Sequence, residues 1–180
     1  MSAPDFAIAC HVEWELESAD TRPLTDRAAA RLVAASLHEA GAGDGEQLEV
    51  SVTFVEPGAM RKLNAEHRDV NRPTDVLAFP IDGLVEPIGS GEPRVVGDIV
   101  VCPAYVMLQL QSGTTMVPHG PGQEAGDATL VAALERCIVH GTLHLAGFDH
   151  ERGEVHAEEM VALEQLVLDR VRGAGADPTP

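Results

Sequence analysis

Aromatic residues are scarce in this chain of 180 residues, where Phe, Trp and Tyr together make up 3%. The core must therefore be built from Leu, Val, Ile, Ala and Met, and a hydrophobic fraction of 44% is enough for one compact domain. No apolar run approaches the length of a membrane span. The N-terminal segment MSAPDFAIAC lacks the basic start and apolar core of a signal peptide. These absences predict a soluble cytoplasmic domain.

Cysteines and basic residues are also few. The three cysteines are too scattered for a disulfide framework, which predicts a reducing compartment: Cys10, Cys102 and Cys137. Twelve Lys and Arg stand against 29 Asp and Glu, and the resulting net charge of -17 generally repels nucleic acid. A third of the basic residues nevertheless lie close together in the sequence: Arg61, Lys62, Arg68 and Arg72. This clustering predicts a small basic surface on an otherwise acidic molecule.

The spacing of apolar residues divides the chain into strands and helices. Alternation predicts strands over 6–16 and 48–54, and short apolar runs predict two more from Val76 and Val95. Helices are predicted after Thr25, from Glu56, and over 105–111, about 128–145 and about 154–171. The Gly- and Pro-rich stretch 112–127 is expected to be a flexible connection. The mixture predicts an α+β fold, or a short α/β sandwich, in a single domain over 1–171 with a disordered tail over 172–180.

Three histidines lie within HGTLHLAGFDH, which runs from His140 to His150. His140 and His144 are four residues apart and so share one face of a helix. Gly147 suits the left-handed conformation that ends a helix, after which the chain can bring His150 to the same point. Three neutral imidazoles suit Zn²⁺ and leave a fourth tetrahedral position open, as in catalytic zinc sites. The spacing predicts a catalytic metal site, and ordinary surface or core histidines are the alternative.

The same spacing fits the zinc-protease signature H-E-x-x-H-x-x-G-x-x-H. His140, His144, Gly147 and His150 fall in its register, but Gly141 stands where the signature has a glutamate. That glutamate is the general base of the peptidase, so its absence removes the central proton acceptor. Peptide hydrolysis with a base from elsewhere in the chain is therefore a secondary hypothesis.

Three blocks of the sequence resemble a known family. HGTLHLAGFDH is similar to the H-G-x-L-H-L-x-G-[YF]-D-H signature of the YbeY family of bacterial metal-dependent endoribonucleases. LNAEHRDVNRPTDVLAFP, from Leu63, resembles that family's L-N-x-x-x-R and T-D-V-L-S-F-P segments, with Ala78 in place of the usual Ser. GDIVVCP, from Gly97, matches a third block. The resemblance implies an α+β fold with a mixed, mostly four-stranded sheet flanked by helices. It also implies a metal held by His140, His144 and His150, and a functional role for Arg68.

The resemblance further implies what the chain does. Members of the family act in ribosomal RNA maturation, so we expect a single-strand-specific endoribonuclease that processes the 3′ end of 16S rRNA and serves ribosome quality control. The expected cofactor is one Zn²⁺, although imidazole sites accept other divalent metals. Expected partners are ribosomal RNA, the small ribosomal subunit, ribosomal proteins and a ribosome-assembly GTPase, with no membrane. Arg68 would hold the phosphodiester, since guanidinium matches phosphate geometry. A zinc hydrolase of another class and a non-catalytic assembly factor are the alternatives.

Several further polar residues have weaker assignments. Asp149 could orient a ligand or act as a base, and Cys137 could be a fourth ligand but is expected to be buried core. Asp75 and Asp98 lie at predicted strand starts within the matching blocks, where a structural role and a catalytic role are equally open. Two more histidines could approach the metal but are expected to be solvated: His119 and His156.

Overall fold

The structure, a computed structural model, describes residues 7–17, 22–43, 46–84, 93–113, 130–150 and 153–174. The strands are β1 (Ala7–Glu15), β2 (Gln47–Val55), β3 (Val76–Pro80) and β4 (Arg94–Val101). The helices are α1 (Asp26–Glu39), α2 (Pro57–Arg68), α3 (Pro103–Ser112), α4 (Leu130–Leu145) and α5 (Glu154–Ala174). Each element predicted from the sequence is present. Within these ranges no helix is both long and apolar enough to span a membrane.

Two predicted boundaries fall near the limits of the described residues. Of the predicted connection 112–127, only Ser112 and Gly113 are described, and they form the end of α3. Helix α5 continues to Ala174, three residues beyond its predicted end, so it enters the predicted tail. Arg172 supports this extension because its guanidinium lies 3.3 Å from a carboxylate oxygen of Glu135 on α4. Residues 175–180 lie outside the described residues.

The four strands form one mixed sheet in the order β1-β2-β4-β3. β1 pairs in parallel with β2, and β2 with β4, whereas β3 is antiparallel to β4 and forms an edge of the sheet. In the described residues, this mixed, four-stranded sheet is flanked by five helices, which confirms the predicted α+β class.

Two apolar clusters cover the two faces of the sheet. The larger cluster joins the inward residues of β2 and β4 to α1, α4 and α5. The smaller one joins Leu77 and Val100 to Met60 of α2 on the opposite face. Successive residues of a strand point to opposite faces, and Ile99 accordingly belongs to the larger cluster and Val100 to the smaller. Helices α2 and α4 therefore lie on opposite sides of the sheet, which matters for the placement of Arg68.

Local signals set the limits of α1 as predicted. The Thr25 hydroxyl oxygen accepts a hydrogen bond from the Ala28 N–H at 3.1 Å and so caps the first turn. At the other end, Gly41 has φ 90°, a left-handed conformation in which glycine carries no steric penalty. The apolar stripe of the helix is buried against the larger cluster: Ala29, Leu32, Val33 and Leu37.

Gly97 brings β3 and the end of α4 close together. The pairing of β2 with β4 shifts by one residue at this point, because Glu49 pairs with Val95 and Val50 with Gly97. A Cβ on Gly97, whose φ is 151°, would lie 2.4 Å from the Phe79 carbonyl oxygen and 2.8 Å from Cδ2 of Leu145. Only glycine permits this approach. The bulge thus sets the last turn of α4, which carries His144, beside the edge strand.

Candidate metal centre

The three histidines come from one helix and the turn that ends it. Helix α4 presents His140 and His144 one turn apart. The turn is a Schellman motif, because the Gly147 N–H donates to the His144 carbonyl and the Phe148 N–H donates to the Leu143 carbonyl, both at 3.0 Å. Gly147 supplies the left-handed residue of this motif, with φ 97°. The turn reverses the chain and returns His150 toward the helix, as the sequence predicted.

The three imidazoles converge. The centroids of the His140 and His144 rings are 4.6 Å apart, and those of His140 and His144 lie 5.3 and 5.1 Å from the His150 centroid. One ring nitrogen from each residue lies within 4.8 Å of the other two. His140 is buried, and the other two are half-buried. In the described part of the chain this is the group of side chains that could hold a metal ion.

A buried carboxylate fixes the orientation of His140. Nδ1 of His140 lies 2.6 Å from Oε1 of Glu164, which is 2% exposed. A carboxylate accepts, so Nδ1 carries the proton and donates it. Nε2 of His140 is therefore left with its lone pair and faces Nε2 of His144 at 3.1 Å. Metal-binding histidines generally donate their second ring N–H to such a partner, which fixes the tautomer.

Burial keeps His144 neutral. Removal from water is the main cause that lowers the pKa of His144 to about 4, and the neighbouring imidazoles of His140 and His150 add to it. Asp149 acts in the opposite direction but does not outweigh them. At pH 7 the ring of His144 therefore offers a lone pair rather than a charge, which is the state a metal requires.

The donor set fits a divalent transition metal. Three imidazoles are a known ligand set of catalytic zinc sites, which keep a fourth position for water or substrate. Nδ1 of His150 is buried and has no hydrogen-bond partner within the described ranges, as expected of a nitrogen that is oriented for another purpose. Copper and nickel also accept imidazole, so the donors define a class of metals.

The other candidate ligands do not join this cluster. Cys137 is buried in the larger apolar cluster, as predicted, and burial raises the pKa of its thiol well above the ordinary value. His156 is exposed on α5, and His119 lies outside the described residues. The Asp75 carboxylate accepts hydrogen bonds from the Thr74 hydroxyl and the Val76 N–H, both at 3.0 Å, which favours the structural role. Asp98 is half-buried on β4, where it pairs with Phe79.

Arg68 lies apart from the histidines. It is exposed at the last position of α2, on the opposite side of the sheet from α4, and no hydrogen bond joins it to the three imidazoles among the described residues. The ring of His67, its neighbour, lies edge-on to Phe79 of β3 with centroids 4.8 Å apart. The end of α2 is thus beside one face of β3, whereas α4 is beside the other. The edge strand separates the two halves of the predicted site.

Asn64 holds the loop that follows Arg68. Its carbonyl oxygen accepts from the Val70 N–H at 3.3 Å, and its side-chain amide donates to the Arg72 carbonyl at 2.7 Å. Asp69 adopts a left-handed conformation with φ 57° between them. This arrangement fixes Arg68 and Arg72 at the same end of α2. Both are exposed, and neither makes an ion pair with another residue of the described ranges.

Sequence reasoning missed Glu164 and Asn64. Glu164 falls in the apolar stripe of α5, four residues after Met160 and three before Val167, and both of these are buried. An acidic residue is buried only with a partner, so its position within an apolar stripe was the signal in the sequence that Glu164 has a paired role. Asn64 gave a similar signal, since it lies four residues after the buried Met60 on α2.

Fold and site together define an α+β protein whose single mixed sheet carries a three-histidine candidate metal centre at the end of a helix. The sequence profile of the family described as Endoribonuclease YbeY matches residues 15–172. The chain belongs to the YbeY family, which confirms the resemblance noted from its motifs.

Relatives named Endoribonuclease YbeY match most of the chain. That of Azorhizobium caulinodans is 36% identical over 156 residues, covering 86% of both chains. That of Rubrobacter xylanophilus is 32% identical over 162 residues, covering 90% of this chain and 96% of its own. A solution structure of a Thermotoga maritima protein superposes with a TM-score of 0.57 over 96% of this chain and 99% of that one, at 24% identity. This last likeness supports the fold alone.

Proposed function

We propose that this protein is a metal-dependent endoribonuclease that cleaves single-stranded RNA in the cytoplasm during maturation of the small ribosomal subunit. The convergence of His140, His144 and His150 in a chain of this family is the observation that supports the proposal. The substrate proposed is ribosomal RNA, including the 3′ end of 16S rRNA. The metal proposed is Zn²⁺, with ribosomal proteins and an assembly GTPase as partners.

The residues of the chain have separate tasks in this proposal. His140, His144 and His150 would hold the cation, and Glu164 keeps the lone pair of His140 Nε2 directed at the centre. A divalent cation held by these residues would supply Lewis-acid chemistry toward a phosphoryl oxygen of the RNA. Arg68, with a guanidinium that matches phosphate oxygens in pairs, would hold the RNA backbone in position.

The charge distribution suits a weakly held RNA. The formal net charge is -17, yet four basic residues of α2 and its following loop are exposed: Arg61, Lys62, Arg68 and Arg72. Phosphate contacts by so few cations give modest affinity that falls as salt rises. The remaining binding energy would come from the ribosomal partners.

Removal of the metal is expected to abolish RNA cleavage. Purified protein treated with a chelator and dialysed should leave a labelled single-stranded oligoribonucleotide intact, and one equivalent of Zn²⁺ should restore cleavage. The same oligoribonucleotide in a perfect duplex should be cleaved far more slowly. Metal content measured alongside activity checks both statements. Undiminished cleavage by metal-free protein would refute the proposal.

Arg68→Ala is expected to lower kcat/KM for RNA cleavage about 10- to 100-fold, because a charge-assisted hydrogen bond to phosphate contributes about 1.5 to 3 kcal/mol. Metal content should be unchanged, since Arg68 lies on the other side of the sheet. Arg27→Ala is the matched control, because Arg27 is exposed on α1 and its loss changes the net charge equally. Equal cleavage by both variants would remove Arg68 from the mechanism.

A further inference from the structure

The outer edge of β3 lies between the two halves of the proposed site. The side chain of Val76 faces α4, where a Cβ on Gly141 would lie 3.4 Å from Val76 Cγ2. The side chain of Phe79 faces α2, where it meets His67. Among the described strands, none pairs with this edge. A strand of RNA that reached both Arg68 and the histidines would have to cross it.

Backbone pairing shows which groups of β3 face outward. The Ile81 N–H donates to the Val96 carbonyl at 3.1 Å, and the Cys102 N–H donates to the Asp75 carbonyl at 2.8 Å. Both bonds are in the register in which Leu77 opposes Val100. Hydrogen-bonded and non-hydrogen-bonded pairs alternate in an antiparallel ladder, so the odd-numbered residues bond to β4. The backbone N–H and C=O groups of Val76 and Ala78 therefore point away from β4. The C=O of Pro80, which has no N–H, points the same way.

Only one of these positions offers a donor. The Val76 N–H already donates to the Asp75 carboxylate at 3.0 Å, and Pro80 has no N–H. Ala78 remains, with an N–H that points outward and a side chain no larger than a methyl group. Proline and local capping of this kind protect edge strands against pairing with another chain. An extended peptide that pairs with a strand edge needs donors and acceptors at alternate positions, and Ala78 alone offers both an N–H and a C=O here.

We propose that the backbone N–H of Ala78 is a substrate-positioning donor that binds a phosphate or ribose oxygen of single-stranded RNA as the strand crosses the β3 edge. This inference rests on the proposed function. An isolated N–H donor suits an acceptor-rich backbone better than it suits a peptide. Exposed cations at the end of α2 attract the same backbone, which places the RNA on one side of Ala78, while the candidate metal centre lies on the other.

The test removes this N–H and leaves the ladder to β4 intact. Ala78→Pro eliminates the donor at a position that does not bond to β4, and Ala78→Gly is the reference, because it retains the N–H. We expect the proline variant to cleave a single-stranded oligoribonucleotide about 10- to 100-fold less efficiently than the glycine variant. Both should cleave bis(p-nitrophenyl) phosphate equally, since this small diester does not span the edge. Equal RNA cleavage by the two variants would overturn the inference.

If proline at position 78 disturbs the fold, a second variant tests the inference instead. Replacement of Ala78 by lactic acid changes one amide to an ester, so it removes the N–H and keeps the shape of the strand. Loss of RNA cleavage with retained diester cleavage supports the inference, and retained cleavage of both substrates refutes it. Absence of RNA cleavage by the unmodified protein would instead refute the proposed function.

Nuclear magnetic resonance separates RNA from a peptide ligand. The Ala78 amide signal should shift when a single-stranded oligoribonucleotide is added to the metal-free protein, which is expected to leave it intact, and an uncharged extended peptide should leave the signal unchanged. A shift caused by the peptide alone would show that the edge takes a β-strand and would overturn the assignment to RNA.

Discussion

Alanine in place of His144 is expected to abolish metal binding at stoichiometric concentrations and to lower RNA cleavage by about 1,000-fold or more, which corresponds to about 4 kcal/mol. The reason is geometric. His144 faces His140 with their Nε2 atoms 3.1 Å apart, and the turn that follows it carries His150. Without His144, two imidazoles remain, and no other described side chain belongs to the cluster that could replace it.

His156→Ala is the matched control, since His156 is exposed on α5 and lies outside the cluster. It should keep wild-type metal content and cleavage. Association with the small ribosomal subunit, measured for both variants, separates catalysis from scaffolding. A His144→Ala protein that still binds the subunit but fails in rRNA processing indicates catalysis. Normal processing by that variant would contradict the proposed function and favour the assembly-factor alternative.

Substitutions of Glu164 are expected to weaken metal binding without abolishing it. Glu164→Gln retains an oxygen that can accept from Nδ1 of His140 but removes the negative charge, so metal affinity should fall about 10- to 100-fold. Glu164→Leu removes the acceptor as well and should weaken the site further. Titration with a competing chelator measures both affinities independently of RNA cleavage. Unchanged affinity in both variants would show that the contact at 2.6 Å has no influence on the metal.

The histidine cluster was predictable because its geometry is local. Residues four apart share a helix face, and Gly147 closes a Schellman turn within three residues of His144. Glu164 was not predictable in the same way, because it lies 24 residues after His140 on another helix. Its contact depends on how far α5 is shifted along α4, and that shift is set by packing of the whole apolar cluster.

The fold, too, was predictable where its determinants are local and not where they depend on distant segments. Thr25, Gly41 and the alternation in β2 act over a few residues, so the helices and strands could be located from the sequence. The order β1-β2-β4-β3 depends on pairings between distant segments, which no short pattern contains. For that reason the sequence predicted a small basic surface but not its position, and Arg68 and the histidines lie on opposite sides of the sheet. Family resemblance identified Arg68 but did not specify this separation.

Gly141→Glu, which restores the zinc-protease signature, is expected to destabilise the fold by at least about 3 kcal/mol and to create no peptidase. Successive helical residues are rotated by about 100°, so position 141 faces the sheet when His140 faces Glu164. A Cβ at this position would lie 2.9 Å from Cγ2 of Ile99 and 3.4 Å from Cγ2 of Val76. The rest of a glutamate side chain would enter the apolar cluster as an unpaired charge.

Gly173→Glu is the matched control for this substitution, since Gly173 lies in α5 with no neighbouring atom within 4 Å of its added Cβ. Denaturant unfolding of the two variants should show a loss for Gly141→Glu alone. A Gly141→Glu protein that unfolds at the wild-type midpoint and hydrolyses a peptide would contradict this prediction and favour the peptidase hypothesis. The missing glutamate therefore has a structural cause, because close packing of α4 on β3 and β4 requires glycine at position 141. The close packing at Gly141 that leaves no room for the protease glutamate also holds His144 beside the edge strand β3, where the RNA is proposed to pass.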